Sequence, residues 1–117
     1  MIALALALSG VSADYVYAST VKTEQLAATC AGTAGRPLEQ NFCTGYVLAT
    51  YDALSASKAI CPGPGASTLQ VMAVVRKYLA EHPEEWDKFA SDVVGTPLKA
   101  TFVCPWNMNW GKPRKGR

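Results

Sequence analysis

Four cysteines constrain this chain more than any other feature of its sequence. They are Cys30, Cys43, Cys61 and Cys104, and no two of them form a C-x-x-C pair. The chain has a single histidine, His82, so the closely spaced ligand pairs that zinc requires are missing. A disulfide framework is the favoured interpretation, and it requires an oxidising compartment.

The N-terminus supplies a route to such a compartment. Residues 1–9 read MIALALALS, an apolar run too short to cross a bilayer, and Val11 and Ala13 follow in a small-x-small pattern. This pattern predicts a signal peptide over residues 1–13, with an alternative cut after Ala18. We therefore expect a periplasmic protein with no membrane span after cleavage. The competing interpretation is a short buried N-terminal helix or strand.

Apolar residues at helical spacing predict two helices in the first half of the mature chain. The first spans about residues 21–29, with Leu26 and Ala27 facing inward. The second begins at Pro37, which suits the first helical position, and runs to about Lys58. Its predicted inner face is a ridge of residues spaced by four and flanked by Val47 and Ala53, namely Leu38, Phe42, Tyr46, Thr50 and Leu54.

Two further helices are predicted after the breaker sequence CPGPG at residues 61–65. Ser67 opens a capping-box pattern at the start of the third helix. Pro83 is interpreted as the start of the fourth helix, which is expected to be interrupted at Pro97 and to run to Phe102. The residues expected on its inner side are Trp86, Phe89, Val93 and Val94.

These elements predict an all-α fold, a small disulfide-stapled bundle of four to five helices with up-down topology, over residues 19–105. Residues 106–117 are rich in helix breakers and basic side chains. They are predicted to form a basic, loosely ordered tail.

Up-down topology discriminates between the three possible cysteine pairings. Cys30 and Cys43 are expected at one end of the bundle, and Cys61 and Cys104 at the other. Cys43 and Cys61 are up to ~27 Å apart along one helix at ~1.5 Å per residue, whereas a disulfide needs Cα atoms within about 7 Å. The predicted disulfides are therefore Cys30–Cys43 and Cys61–Cys104.

The order of these segments resembles a known family. FCTGYVLATYDAL at 42–54, CPGPGASTLQVMAVVRKYLAEHPEEW at 61–86 and TFVCP at 101–105 are similar to the Rap/Tai-type immunity proteins of type VI secretion amidase effectors. The similarity covers about residues 24–105. The matched positions are Cys43, Gly45, Tyr46, Cys61, Pro62, Gln70, Val74, Val75, Tyr78, Leu79, His82, Pro83, Glu84, Phe102 and Cys104.

The resemblance implies a small periplasmic helical protein that binds and inhibits a cognate peptidoglycan amidase, as a homodimer. The chain departs from the family pattern in two places. Gly95 to Pro97 stand where a continuous helix is usual, and Val103 stands where proline usually precedes the last cysteine.

A contact site for such a partner is predicted in the loop at residues 82–87, because a loop on a stapled scaffold can protrude into a cleft. Glu84, Glu85 and Trp86 there combine charge with an aromatic anchor. The loop at residues 61–67 is the alternative. A second alternative is that Trp86 packs into the core while the glutamates complement a helix dipole.

Other function classes are disfavoured by the residues. Without the last six positions the chain has seven basic and nine acidic residues, which gives no footprint for nucleic acid. No nucleophile motif accompanies His82, so no enzyme, metal or cofactor is predicted. The alternatives to an inhibitor are an acid-stress chaperone-like protein and an envelope-binding protein that uses the basic tail.

Overall fold

The structure, a computed structural model, describes residues 20–32 and 37–107. The predicted signal peptide and residues 108–117 of the predicted tail lie outside the described residues. Four α-helices account for most of the described chain, and they are α1 (Thr23–Cys30), α2 (Pro37–Ala56), α3 (Thr68–Glu81) and α4 (Ala90–Thr101). Short 3-10 turns stand at Pro83–Glu85 and Pro105–Asn107. The prediction of a small all-α bundle is confirmed.

Each of the four helices packs against the other three around one apolar core. Leu26 of α1, Val47 of α2, Val75 of α3 and Val94 of α4 are buried within it. The ring of Tyr51 meets that of Phe102 edge to face, with centroids 5.7 Å apart. This arrangement uses one apolar stripe from every helix.

Both predicted disulfides are present. Cys30 and Cys43 join α1 to α2 with their Cα atoms 5.0 Å apart. Cys61 and Cys104 join the loop after α2 to the segment after α4, with Cα atoms 4.8 Å apart. All four cysteines are therefore in disulfides, and one disulfide cross-links each end of the bundle.

The start of α3 follows from its sequence. Ser67 has extended backbone, and its hydroxyl oxygen accepts a hydrogen bond from the Gln70 backbone N–H at 3.1 Å. This is the N-cap interaction that the sequence predicts. It satisfies one of the backbone donors that a helix start leaves free.

The fourth helix differs from the prediction. Pro83 starts a single 3-10 turn, and α4 begins only at Ala90. The intervening backbone bonds the start of α1 instead: Thr23 N–H donates to Lys88 O at 3.0 Å, and Ala90 N–H donates to Val21 O at 3.0 Å. Because these groups are used between segments, they cannot continue a helix from Pro83.

One side chain of the predicted fourth helix takes a different position as a result. Phe89 has extended backbone at the cap of α4 and is exposed, not inward. Its ring contacts the ammonium of Lys22, 4.4 Å from the ring centroid. Val93 and Val94 are buried as predicted.

Proline at position 97 does not interrupt α4, which continues to Thr101. An interior proline costs about 3 kcal/mol because it removes a backbone donor and crowds the preceding turn. Pro97 is buried beside Leu98, so burial of apolar surface on this side of α4 opposes that cost. The expected interruption is therefore wrong.

The second residue after the end of α2 has an unusual backbone conformation. Lys58 has φ 60°, the left-handed region that favours glycine. Beyond it, the Ala59 and Ile60 N–H groups both donate to Leu54 O, at 2.9 and 3.3 Å, and close the helix end. We expect Lys58→Gly to raise the free energy of unfolding by about 1 kcal/mol, because glycine carries no Cβ penalty there.

Urea denaturation checks this expectation. Lys58→Ala is the matched control, since it removes the same charge but retains a Cβ. An equal gain in both variants would assign the effect to the lost charge.

Candidate partner-binding surfaces

The turn between α3 and α4 contains the predicted contact residues and is held by stacked side chains. The rings of Tyr78 and His82 stack with centroids 3.8 Å apart and an interplanar angle of 16°. His82 Nδ1 lies 2.8 Å from the backbone oxygen of Tyr78. His82 thus closes the end of α3.

A second interaction fixes the 3-10 turn at Glu85. The Tyr78 hydroxyl donates a hydrogen bond to the Glu85 carboxylate, and Lys88 Nζ lies 3.2 Å from Glu85 Oε1. The hydrogen bond from Tyr78 and the nearby Lys88 charge lower the pKa of Glu85 below its ordinary value. The same hydrogen bond, with burial and the carboxylate charge, raises the pKa of Tyr78.

Trp86 is anchored through both its side chain and its backbone. The indole Nε1 donates to Leu79 O at 2.9 Å, and the Trp86 backbone oxygen accepts from Glu24 N–H at 3.0 Å. The ring is half-buried and packs against the core. Trp86 therefore joins α1, α3 and the turn into one rigid unit.

The three predicted contact residues consequently have different environments on the same turn. Glu84 is exposed, Glu85 is bonded to Tyr78 and Lys88, and Trp86 has only part of its ring at the surface. Their role in binding a partner stays a prediction, and Glu84 is the one whose carboxylate accepts no hydrogen bond within the described chain.

The bonding of Glu85 has a pH dependence with a definite sign. Because the folded pKa of Glu85 lies below its ordinary 4.5, the folded state favours the carboxylate. Its contribution to stability is present above pH 4.5 and is lost as the pH falls through the lower folded pKa. We expect Glu85→Gln to be less stable than the wild type at neutral pH, with the difference shrinking below pH 4.5.

Urea denaturation at neutral and acidic pH measures this difference. Glu84→Gln is the control, since it removes a neighbouring exposed carboxylate. A wild-type advantage over Glu85→Gln that stays constant into strong acid would contradict the assignment.

The second candidate surface is the outward face of the first turns of α2. The predicted inner face of α2 is wrong for Leu38 and Phe42, whereas Tyr46 and Leu54 of the same ridge pack against the core. Leu38 is 83% exposed and Phe42 44% exposed, while Cys43 and Val47 are fully buried. The disulfide to α1 turns Cys43 inward, and Phe42, about 100° around the helix from it, turns outward. Tyr46 is half-buried, with its ring centroid 6.0 Å from that of Phe42.

The cysteine itself carried the missed signal. A residue that must bond to another helix fixes which side of its own helix faces inward, and Val47 lies one turn further on. The fourfold spacing alone places Leu38 and Phe42 on the wrong side of α2, whereas the predicted flanking residue Val47 is buried.

A groove continues this outward face between α2 and α4. Its volume is about 600 Å³, and its walls include Tyr46 and Ala49 of α2 with Asp92, Gly95 and Lys99 of α4. A Cβ added at Gly95 would lie 3.9 Å from both the Leu54 and Lys99 side chains, an ordinary contact distance. The residues lining the groove are mostly small or apolar, with one acidic and one basic side chain along α4.

Within residues 20–32 and 37–107, no three His, Cys, Asp or Glu side chains come together in a way that could hold a metal ion. No helix in these ranges is long and apolar enough to cross a membrane.

No curated protein and no solved structure matches the chain. The sequence pattern of the family described as Rap1a immunity proteins matches residues 22–104. That range spans all four helices and both disulfides and makes up well over half of the chain. The chain belongs to the Rap1a immunity protein family, whose members act against a secreted effector protein.

Proposed function

We propose that this protein is a periplasmic immunity protein that binds and inhibits a type VI secretion peptidoglycan amidase, and that it catalyses no reaction itself. The observation that carries the proposal is the family match over residues 22–104. An immunity protein needs complementarity to its effector and no chemistry of its own.

The disulfides support the periplasmic part of this proposal. Disulfides persist in oxidising compartments such as the periplasm, and both cysteine pairs of this chain are bonded. The apolar run at residues 1–9 supplies the signal for export in this proposal.

Inhibition is proposed to use the turn at residues 82–87. Its backbone is fixed before binding by the hydrogen bonds of Glu85 and Trp86, so little conformational entropy is lost on contact. Glu84 projects from this turn as an exposed carboxylate, and the accessible part of the Trp86 ring lies near it in the chain. A preformed acidic protrusion of this kind is suited to entering a cleft.

The experiment is a binding and inhibition assay with the purified amidase encoded beside this gene. We expect stoichiometric binding and loss of peptidoglycan cleavage. Glu84→Lys is expected to weaken binding about tenfold or more, since a rim charge is reversed. Asp52→Lys is the control, because it reverses an exposed acidic residue that lies on α2, away from this turn.

Glu85 is unsuitable for this charge reversal, because a lysine there would also break its bond to Tyr78. If Glu84→Lys binds as well as Asp52→Lys, the contact lies elsewhere. If the wild type does not bind the amidase at all, the immunity proposal for this effector fails, and an envelope-binding or acid-stress role gains support.

The outward face of α2 is proposed to pair with the same face of a second copy. Leu38 and Phe42 are large exposed apolar side chains, and the α2–α4 groove runs on from them. Asp92 and Lys99 lie two helical turns apart in this groove. A twofold axis would therefore bring Asp92 of each copy against Lys99 of the other.

Light scattering coupled to size exclusion tests this homodimer. Phe42→Asp is expected to give a monomer, and Leu69→Asp, at an exposed leucine on α3, is expected to leave a dimer. A monomeric wild type would remove the homodimer from the proposal without affecting inhibition.

A further inference from the structure

A groove between α1 and α3 lies apart from the outward face of α2 and adjoins the turn at residues 82–87 through Trp86. Its volume is about 450 Å³, and half of its lining residues are alanines: Ala27 and Ala28 of α1, Ala31 just after α1, and Ala80 of α3. Alanine side chains end at Cβ, so the space between the two helices stays open. The groove is wide enough for an apolar side chain to enter.

Trp86 forms one wall of this groove. Its indole N–H is already satisfied by Leu79 O, so the surface it offers is the apolar ring. Its backbone is bonded to Glu24 at the start of α1, which holds the ring in place. A fixed indole beside an open trough is typical of the centre of a protein interface, where tryptophan is enriched.

Arg76 supplies the groove with a charge. It is the one charged side chain among the described residues that line this groove, and it is exposed. Its guanidinium has no hydrogen-bond or ion-pair partner within the described chain. It lies one helical turn before Ala80, about 6 Å along the axis of α3. A free guanidinium presents several donors in the geometry that a carboxylate accepts.

We propose that this groove docks a segment of the effector in which an aliphatic side chain stands next to a carboxylate; the inference rests on the proposed function. The aliphatic side chain fills the alanine-lined trough against Trp86, and the carboxylate bonds to Arg76. The groove would add a second contact region to the turn at residues 82–87. Trp86 belongs to both regions, so the two form one continuous surface.

The test is calorimetric titration of the full mature chain with the neighbouring amidase. Arg76→Gln removes the proposed charge, and Lys77→Gln removes an adjacent exposed charge that does not line the groove. Ala28→Leu fills the trough, and Ala73→Leu makes the same change at an exposed position of α3 outside it. All four positions are surface positions in helices, so their melting temperatures are expected to stay close to the wild type.

We expect Arg76→Gln and Ala28→Leu each to weaken binding about tenfold or more, and both controls to stay within about twofold of the wild type. If the wild type binds and the groove variants match their controls, the groove inference is overturned while the immunity function stands. If the wild type does not bind, the proposed function fails and the groove inference fails with it.

Discussion

Replacing both Cys61 and Cys104 by alanine is expected to lower the free energy of unfolding by about 4 kcal/mol. Their disulfide closes a segment with a sequence separation of 43, which contains α3, the turn and α4. Opening it restores the conformational freedom of the unfolded chain. Against a typical domain stability of roughly 5–15 kcal/mol, this is a large loss. Guanidinium denaturation measures it.

The Cys30 and Cys43 pair provides the matched comparison. Their sequence separation is only 13. Because the entropy cost of closing a loop is smaller for a shorter loop, the expected loss in the free energy of unfolding is about 3 kcal/mol. The expected order is therefore a larger loss for the pair with the longer separation. A larger loss on removing Cys30 and Cys43 would show that packing around the buried Cys43, and not chain entropy, dominates.

Leu98→Ala is expected to lower the free energy of unfolding by about 3 kcal/mol. Leu98 is fully buried on α4, so truncation removes apolar contacts and leaves a cavity among the surrounding core residues. The free energy of unfolding from urea denaturation is the measurement.

Leu69→Ala is the control for this change, because it deletes the same atoms from a side chain that is 84% exposed. Its effect should stay within about 0.5 kcal/mol, as is usual for surface substitutions. Similar losses in both variants would mean that α4 repacks around the missing side chain.

The parts of the fold that sequence predicts well are those governed by strong local or topological constraints. The cap at Ser67 follows from local hydrogen bonding, and the pairing of Cys61 with Cys104 follows from the length of α2. The late start of α4 has no local signal, because it depends on bonds between Lys88 and Thr23, which are far apart in sequence. Burial of Pro97 is likewise a tertiary effect.

The candidate contact residues illustrate the same division. The sequence predicts Glu84, Glu85 and Trp86 as one contact site, with a core-packed Trp86 beside dipole-complementing glutamates as the alternative. The bond from Tyr78 to Glu85 and the bond from Trp86 to Leu79 O arise from side chains seven positions apart, brought together by the turn after α3. Such pairings separate residues that support the turn from those free to contact a partner, and adjacency in sequence does not reveal them.

The pairing of the cysteines also bears on how the protein matures. Cys30 joins the next cysteine along the chain, and Cys61 likewise joins the next. In the export that we propose for this chain, an oxidase acting on thiols in order of emergence would form both native bonds directly. No wrongly paired intermediate has to be reshuffled, so maturation should need an oxidant but no disulfide isomerase. A protein that must be ready before its effector arrives gains speed from this order.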